Sequence, residues 1–225
     1  MQISRIARPW HIVTFVVVLA ALTLQLWLVI DGRAILVDGS APGVMERVRR
    51  FFSYFTIQSN LLVAATTFTL ARDPAHDGRL WRVARLASVV GIAVTGVVHW
   101  FLLRPLLDLS GGPLLADKLL HVAVPLLTVV GWLVFGPRGR ATRADVWWAL
   151  VWPVLWLLAT LTLGPLAGWY PYPFLDAAVL GLGTVLLTCL GVAVLFVGLS
   201  LLAVTLDHRL RRTSSHPAAD DTMVR

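Results

Sequence analysis

An all-α fold, a bundle of six transmembrane helices with both termini cytoplasmic, is what this sequence predicts, on three observations. First, 58% of the 225 residues are hydrophobic and only 14% are charged, and the apolar residues gather into runs of about 20, the length that crosses a bilayer as a helix. Second, Lys and Arg fall unequally in the polar connections. Thirteen of the 19 lie at the N-terminus, in 72–85, in 136–145 and in the tail, and such an excess marks the cytoplasmic side. Third, Trp10, Trp81, Trp132, Trp147 and Trp148 sit at the inner ends of the runs and Trp27, Trp100 and Trp169 at the outer ends, as an aromatic belt requires. The net charge of +7 is therefore a topology signal, spread over short connections and not gathered on a nucleic-acid-binding face. Cys189 is the single cysteine, so neither an internal disulfide nor a cysteine metal cluster is available. Eighteen Arg to one Lys is a compositional bias of bacterial character, and the expected location is a bacterial plasma membrane.

One transmembrane domain is expected over 1–206, with spans at about 10–30, 51–71, 86–103, 115–135, 145–163 and 175–206. The first follows Arg5 and Arg8 and carries no small-x-small cleavage site, so it reads as a span and not a removed signal peptide. A loop over 31–50 contains the turn-forming Gly39-Ser40-Ala41-Pro42-Gly43, and Asp73-Pro74 and Asp77-Gly78 turn the chain between spans two and three. Arg104-Pro105 ends span three, because the residue before proline is pushed out of the helical region. Pro125 and Pro153 lie inside spans four and five and should bend them. Gly181, Gly183, Gly191 and Gly198 suit close helix packing in span six. Residues 207–225 have too little apolar content for a core and read as a disordered cytoplasmic tail.

The chemistry concentrates in Ser53-Tyr54-Phe55-Thr56-Ile57-Gln58-Ser59-Asn60, at the opening of span two. Ser53, Thr56 and Asn60 share helical spacing, and Ser59 extends the same polar face. Thr56 and His121 lie about five residues inside the outer starts of their spans, and His99 about five before the outer end of its own; at 1.5 Å per residue each is roughly 7–8 Å deep. Gln25 reaches a similar depth, and the Trp169-Tyr170-Pro171-Tyr172-Pro173 loop is placed to cover them. Polar groups in hydrocarbon are costly, so those at one level should face one another in a single outward-facing pocket. A threonine hydroxyl beside an imidazole suffices for nucleophilic attack on an ester. Asn60, Ser59 and Gln58 are candidate oxyanion donors, with Ser53, His99, Gln25 and Tyr170 as further pocket residues. Asp117, one turn before His121, is the candidate to orient the imidazole.

Three stretches carry a family resemblance: Phe-Phe-Ser-Tyr-Phe-Thr-Ile-Gln-Ser-Asn (51–60), Leu-Leu-His-Val-Ala-Val-Pro (119–125) and Trp-Tyr-Pro-Tyr-Pro-Phe (169–174). They resemble the androgen-induced protein family of six-span membrane threonine hydrolases, and more closely its bacterial six-transmembrane relatives. The resemblance implies Thr56 as nucleophile, His121 as base, and fatty acid esters of hydroxy fatty acids as the substrate class. The expected partners are then membrane lipids and a lipid-like ester, with no nucleic acid, no cofactor and no metal. Two other classes fit the same residues: a non-catalytic lipid-binding or transport protein using the pocket for head groups, and a haem or metal protein ligated by His99 and His121.

Overall fold

A computed structural model describes residues 2–33 and 42–214. Within them the protein is helical, and no strand occurs among the described residues. α1 (Gln2–Ile30) is followed by α2 (Val44–Ser53), α3 (Phe55–Arg72) and α4 (Arg79–Val98), which runs on through a π turn, His99–Leu103, and a 3₁₀ turn, Arg104–Leu106. α5 (Gly111–Lys118), a π turn (Leu119–Ala123) and α6 (Val124–Phe135) form one continuous rod. α7 (Arg143–Ala167), the short α8 (Ala177–Leu180) and α9 (Leu182–Ser214) complete the chain. Among the described residues, five helices are long and apolar enough to cross a membrane: Ile6–Ile30, Arg79–Leu106, Gly111–Phe135, Arg143–Ala167 and Leu182–Arg211.

α3 packs most extensively on α1 and α4, and α4 in turn carries α6, α7 and α9. Two apolar clusters result. One gathers Val18, Ile57, Ile92 and Val124 between α1, α3, α4 and α6; the other gathers Phe55, Val90, Ala149 and Phe196 between α3, α4, α7 and α9. Thr56, Ser59, Asn60, Thr66 and Thr67 of α3 are buried. Thr66 Oγ1 lies 3.0 Å from Ser88 Oγ, and Thr67 donates back to the Val63 carbonyl at 2.7 Å, which removes the cost of burying them.

Polar contacts join several connections at one end of the molecule. Arg8 donates to the Ala71 carbonyl, Arg140 to the Ala75 and His76 carbonyls, and the Arg140 and Ala141 amides to Asp207. The start of α1, the α3–α4 and α6–α7 connections and the end of α9 therefore meet. Leu28 packs against Gly112 at the opposite end.

Several expected boundaries move, each for a physical reason. The stretch expected as one helix over 51–71 is two, broken at Tyr54, whose extended backbone (φ −69°, ψ 130°) is the C-cap of α2 and the N-cap of α3. Its ring is held edge-on between Trp169 and Tyr172, at 5.8 and 5.6 Å, so tertiary packing overrides local periodicity. Part of the expected 31–50 loop is helical as α2, where Glu46 pairs with Arg49 and Arg50 three and four residues on. Thr142 and Asp145 form a reciprocal capping box that starts α7. Gly181, at φ +77°, separates α8 from α9. Gly183, Gly191 and Gly198 face open space, with nothing within 4 Å of where a Cβ would stand; the close approaches are instead at Gly91, Gly96, Gly131 and Gly164. The expected tail also begins late, because α9 continues to Ser214, anchored by buried Asp207 accepting from the Arg140 and Ala141 amides at 2.9 and 3.1 Å. The rest of that tail, 215–225, and the Gly39-Ser40-Ala41 part of the expected turn lie outside the described residues.

Candidate active site

The break at Tyr54 puts Thr56 at the second position of α3, where helix amides have no backbone partner. Ile57 and Gln58 donate to the Tyr54 carbonyl, but the Thr56 amide donates instead to the Tyr172 hydroxyl at 3.0 Å. That bond places the hydroxyl at the positive end of α3. Thr56 Oγ1 stands 3.1 Å from it and 3.3 Å from His121 Nε2. Burial pushes the Tyr172 phenol up to about 12, so it stays a neutral donor at physiological pH.

Two π turns bring the imidazoles together. His99 begins one and His121 lies within the other; each wide turn re-aims the side chains around it, as π turns at functional sites commonly do. Gly96 permits the approach. A Cβ there would stand 3.3 Å from the His121 carbonyl and 3.4 Å from Pro125. The two rings stack at 3.9 Å with 12° between planes.

Asp117, one turn before His121, serves both. His121 Nδ1 donates to the Asp117 main-chain carbonyl at 3.1 Å with the carboxylate Oδ1 3.0 Å away, and Asp117 Oδ2 lies 3.4 Å from His99 Nε2. Hydrogen-bond alignment is met by the carbonyl, and the carboxylate acts on His121 as an adjacent charge. These partners assign the tautomer: Nδ1 carries the proton and Nε2 presents its lone pair to the Thr56 hydroxyl. The result is a directed path from Tyr172 through Thr56 and His121 to Asp117.

These side chains line a cavity of about 110 Å³ that also takes in Gln25, Arg47, Arg50 and Trp169. Arg50 lies over the Trp169 ring at 4.9 Å and pairs with Glu46, and Arg47 donates to the Ile30 carbonyl at 2.8 Å. Thr56, His121, His99 and Gln25, expected at one depth, line this cavity together, and Asp117, expected one turn before His121, lines it too. The other candidates are placed elsewhere. Ser53 belongs to α2 and bonds back to the Arg49 carbonyl. Gln58 accepts from Trp152 Nε1 at 2.9 Å and donates to the Phe52 carbonyl. Ser59 faces α4 and accepts from Thr95 at 3.2 Å. Tyr170 packs over Gly164 and does not line the cavity. Asn60 donates to the Thr56 carbonyl at 2.8 Å and reaches the Leu120 carbonyl at 3.5 Å, which ties α3 to the His121 turn and leaves no free donor for an oxyanion.

Asn60→Ala is therefore expected to act on stability. Losing this fully buried link should cost about 1 kcal/mol and lower the melting temperature in detergent, while kcat falls less than the roughly 10²–10³-fold that removal of an oxyanion donor produces.

His99, Asp117 and His121 offer ligand atoms within 4.8 Å of one another. A first-row metal would need each at about 2.0–2.2 Å, and an imidazole binds through a lone pair in its ring plane. Rings stacked 12° from parallel do not aim two such lone pairs at one point, so the arrangement fits proton transfer better than ligation of a single ion. Comparison with family models, curated proteins and solved structures finds no match for this chain.

Tyr172 is the participant missing from the residues picked out by sequence. Its loop is recognisable as a cover, but no spacing rule selects it over Tyr170, two residues away. The choice is made by the free α3 amides, which exist only because the helix breaks at Tyr54.

Proposed function

We propose that this chain is an integral membrane ester hydrolase of six spans, using Thr56 as nucleophile and His121 as base. The single observation that carries the reading is Thr56 Oγ1 at 3.3 Å from His121 Nε2, with the other ring nitrogen held by Asp117. His121 Nε2 takes the hydroxyl proton as Oγ1 attacks the ester carbonyl. The Tyr172 O–H and the α3 N-terminus face the oxygen that becomes negative. His121 then gives its proton to the departing alcohol, which leaves an acyl-Thr56 ester. Water, deprotonated by His121, attacks that ester, and the returning proton restores Thr56 as the fatty acid leaves. The resemblance supports lipid esters, with fatty acid esters of hydroxy fatty acids as the class to test first. Labelling of purified protein by a fluorophosphonate probe, lost in Thr56→Ala, is the direct experiment; a well-folded protein that neither labels nor turns over esters would favour lipid binding without chemistry.

α3 supplies the sixth span. Its 18 residues extend about 27 Å at 1.5 Å per residue, close to the hydrocarbon thickness, and its polar side chains are tolerated because they face other helices. The end joined by Arg8, Arg140 and Asp207 carries most of the basic residues and is assigned to the cytoplasm of a bacterial plasma membrane. Trp27 and Trp100 near one end, and Trp147 and Trp148 near the other, are each more than half exposed, as interfacial anchors are. Reporter fusions after Ala75, after Arg140 and at the C-terminus should therefore read cytoplasmic, and fusions after Ser110 and Gly168 external. An external C-terminus would invert the cavity's orientation and overturn the assignment.

A further inference from the structure

A second cavity of about 200 Å³ lies between α4, α7 and α9, walled by Val98, Leu157, Cys189, Val192 and Phe196. It shares Thr56, Tyr172 and Leu103 with the polar cavity, so Thr56 stands in the partition between them. The two sides differ in kind. Gln25 Oε1, Arg47 Nε and His99 Nδ1 are buried atoms without a hydrogen-bond partner, and all three residues line the polar cavity. No such atom belongs to a residue lining the second cavity. Thr95, a polar group in its wall, already donates to the Ser59 hydroxyl and the Gly91 carbonyl.

We propose that this second cavity is the acyl-chain chamber of the hydrolase, which fixes how the ester lies across Thr56: fatty acyl chain toward α7 and α9, alcohol portion among the unpartnered polar groups. The assignment rests on the hydrolase reading for its chemistry, but the chamber can be tested without it. Its rim includes Val154 on α7 and Ala193 on α9, both exposed, so a chain enters sideways from the bilayer. Pro153 lines the same wall; lacking an N–H, it interrupts the hydrogen bonding of α7 beside the opening. For scale, an apolar cavity of about 150 Å³ binds benzene, so this space takes several methylenes. Membrane hydrocarbon is as apolar as the chamber, so the chamber selects by shape and position. A chain that fills it brings the ester carbonyl to Thr56, and one that is too short leaves the carbonyl unplaced.

Two measurements test the proposal. Wild-type turnover of p-nitrophenyl esters from butyrate to palmitate should rise with chain length. Val192→Trp, which fills the chamber, should lower the ratio of long-chain to short-chain kcat/KM by at least about tenfold, the scale of hydrophobic-pocket discrimination. Independently, Cys189 is the only cysteine, so its alkylation by N-ethylmaleimide, followed by intact mass, reports chamber occupancy in the unmodified protein. Palmitate should slow it at least severalfold and butyrate should not. Palmitate protection without ester turnover would keep the chamber and sink the hydrolase. Thr56-dependent turnover that ignores chain length, together with unprotected Cys189, would overturn the chamber and keep the hydrolase. An unchanged ratio in well-folded Val192→Trp would also overturn it.

Discussion

Thr56→Ala is expected to abolish both fluorophosphonate labelling and ester turnover, and His121→Ala to do the same. In the proposed mechanism the two residues form one proton path, with Oγ1 and Nε2 3.3 Å apart: without the hydroxyl there is nothing to attack, and without the imidazole the hydroxyl keeps its proton. The double variant should therefore cost hardly more than either single one, because residues that act as a unit are far from additive. Thr56→Ser separates the hydroxyl from the methyl. It keeps the attacking oxygen but loses the χ1 restriction of a β-branched side chain, so reduced yet measurable turnover is expected. Thr56→Ala also removes the side-chain contact with Tyr172 at 3.1 Å, a stability loss of about 1 kcal/mol. Each variant should be compared after its melting temperature in detergent has been measured. A folded Thr56→Ala protein with full activity would eliminate the threonine mechanism.

Tyr172→Phe should lower kcat by roughly 10²–10³-fold, the loss seen when one oxyanion donor is removed, with a much smaller change in KM. The ring is buried among Tyr54, Trp156 and Phe174, and phenylalanine keeps that packing, so the substitution removes little besides the hydroxyl. The hydroxyl accepts from the Thr56 amide and touches Thr56 Oγ1, where it can transfer its hydrogen bond to a substrate oxygen as charge builds. A purely structural tyrosine would give a lower melting temperature with kcat preserved. Tyr170→Phe is the comparison; that ring packs over Gly164, and kcat should hold.

What the sequence made readable was periodicity and cost. Long apolar runs announce helices, and the expense of burying Thr56, His99, His121 and Gln25 at one depth forces them to share a cavity. What escaped was whatever depends on contacts between distant segments. Ser53 and Thr56 share a face only if the helix is unbroken, and Tyr54 breaks it because Trp169 and Tyr172 hold its ring. Gln58 has the chemistry of an oxyanion donor, yet its amide is engaged by Trp152, more than ninety positions away. Asp207 reads as the start of a polar tail until two amides from the α6–α7 connection meet its carboxylate. Asp117 was readable because its partner is local, one helical turn ahead.

The π turn at Leu119–Ala123 makes α5 and α6 two halves of a rod that are out of phase. One extra residue in a helical turn offsets everything beyond it by roughly 100° about the axis. The aim of His121 toward Thr56 is thus recorded in the chain as a residue count. Deleting one residue from 119–123 would let the rod relax to a uniform α-helix of nearly unchanged length and hydrophobicity, with one half rotated against the other. A chain with that deletion would look almost identical by composition, yet its threonine and histidine would no longer face each other.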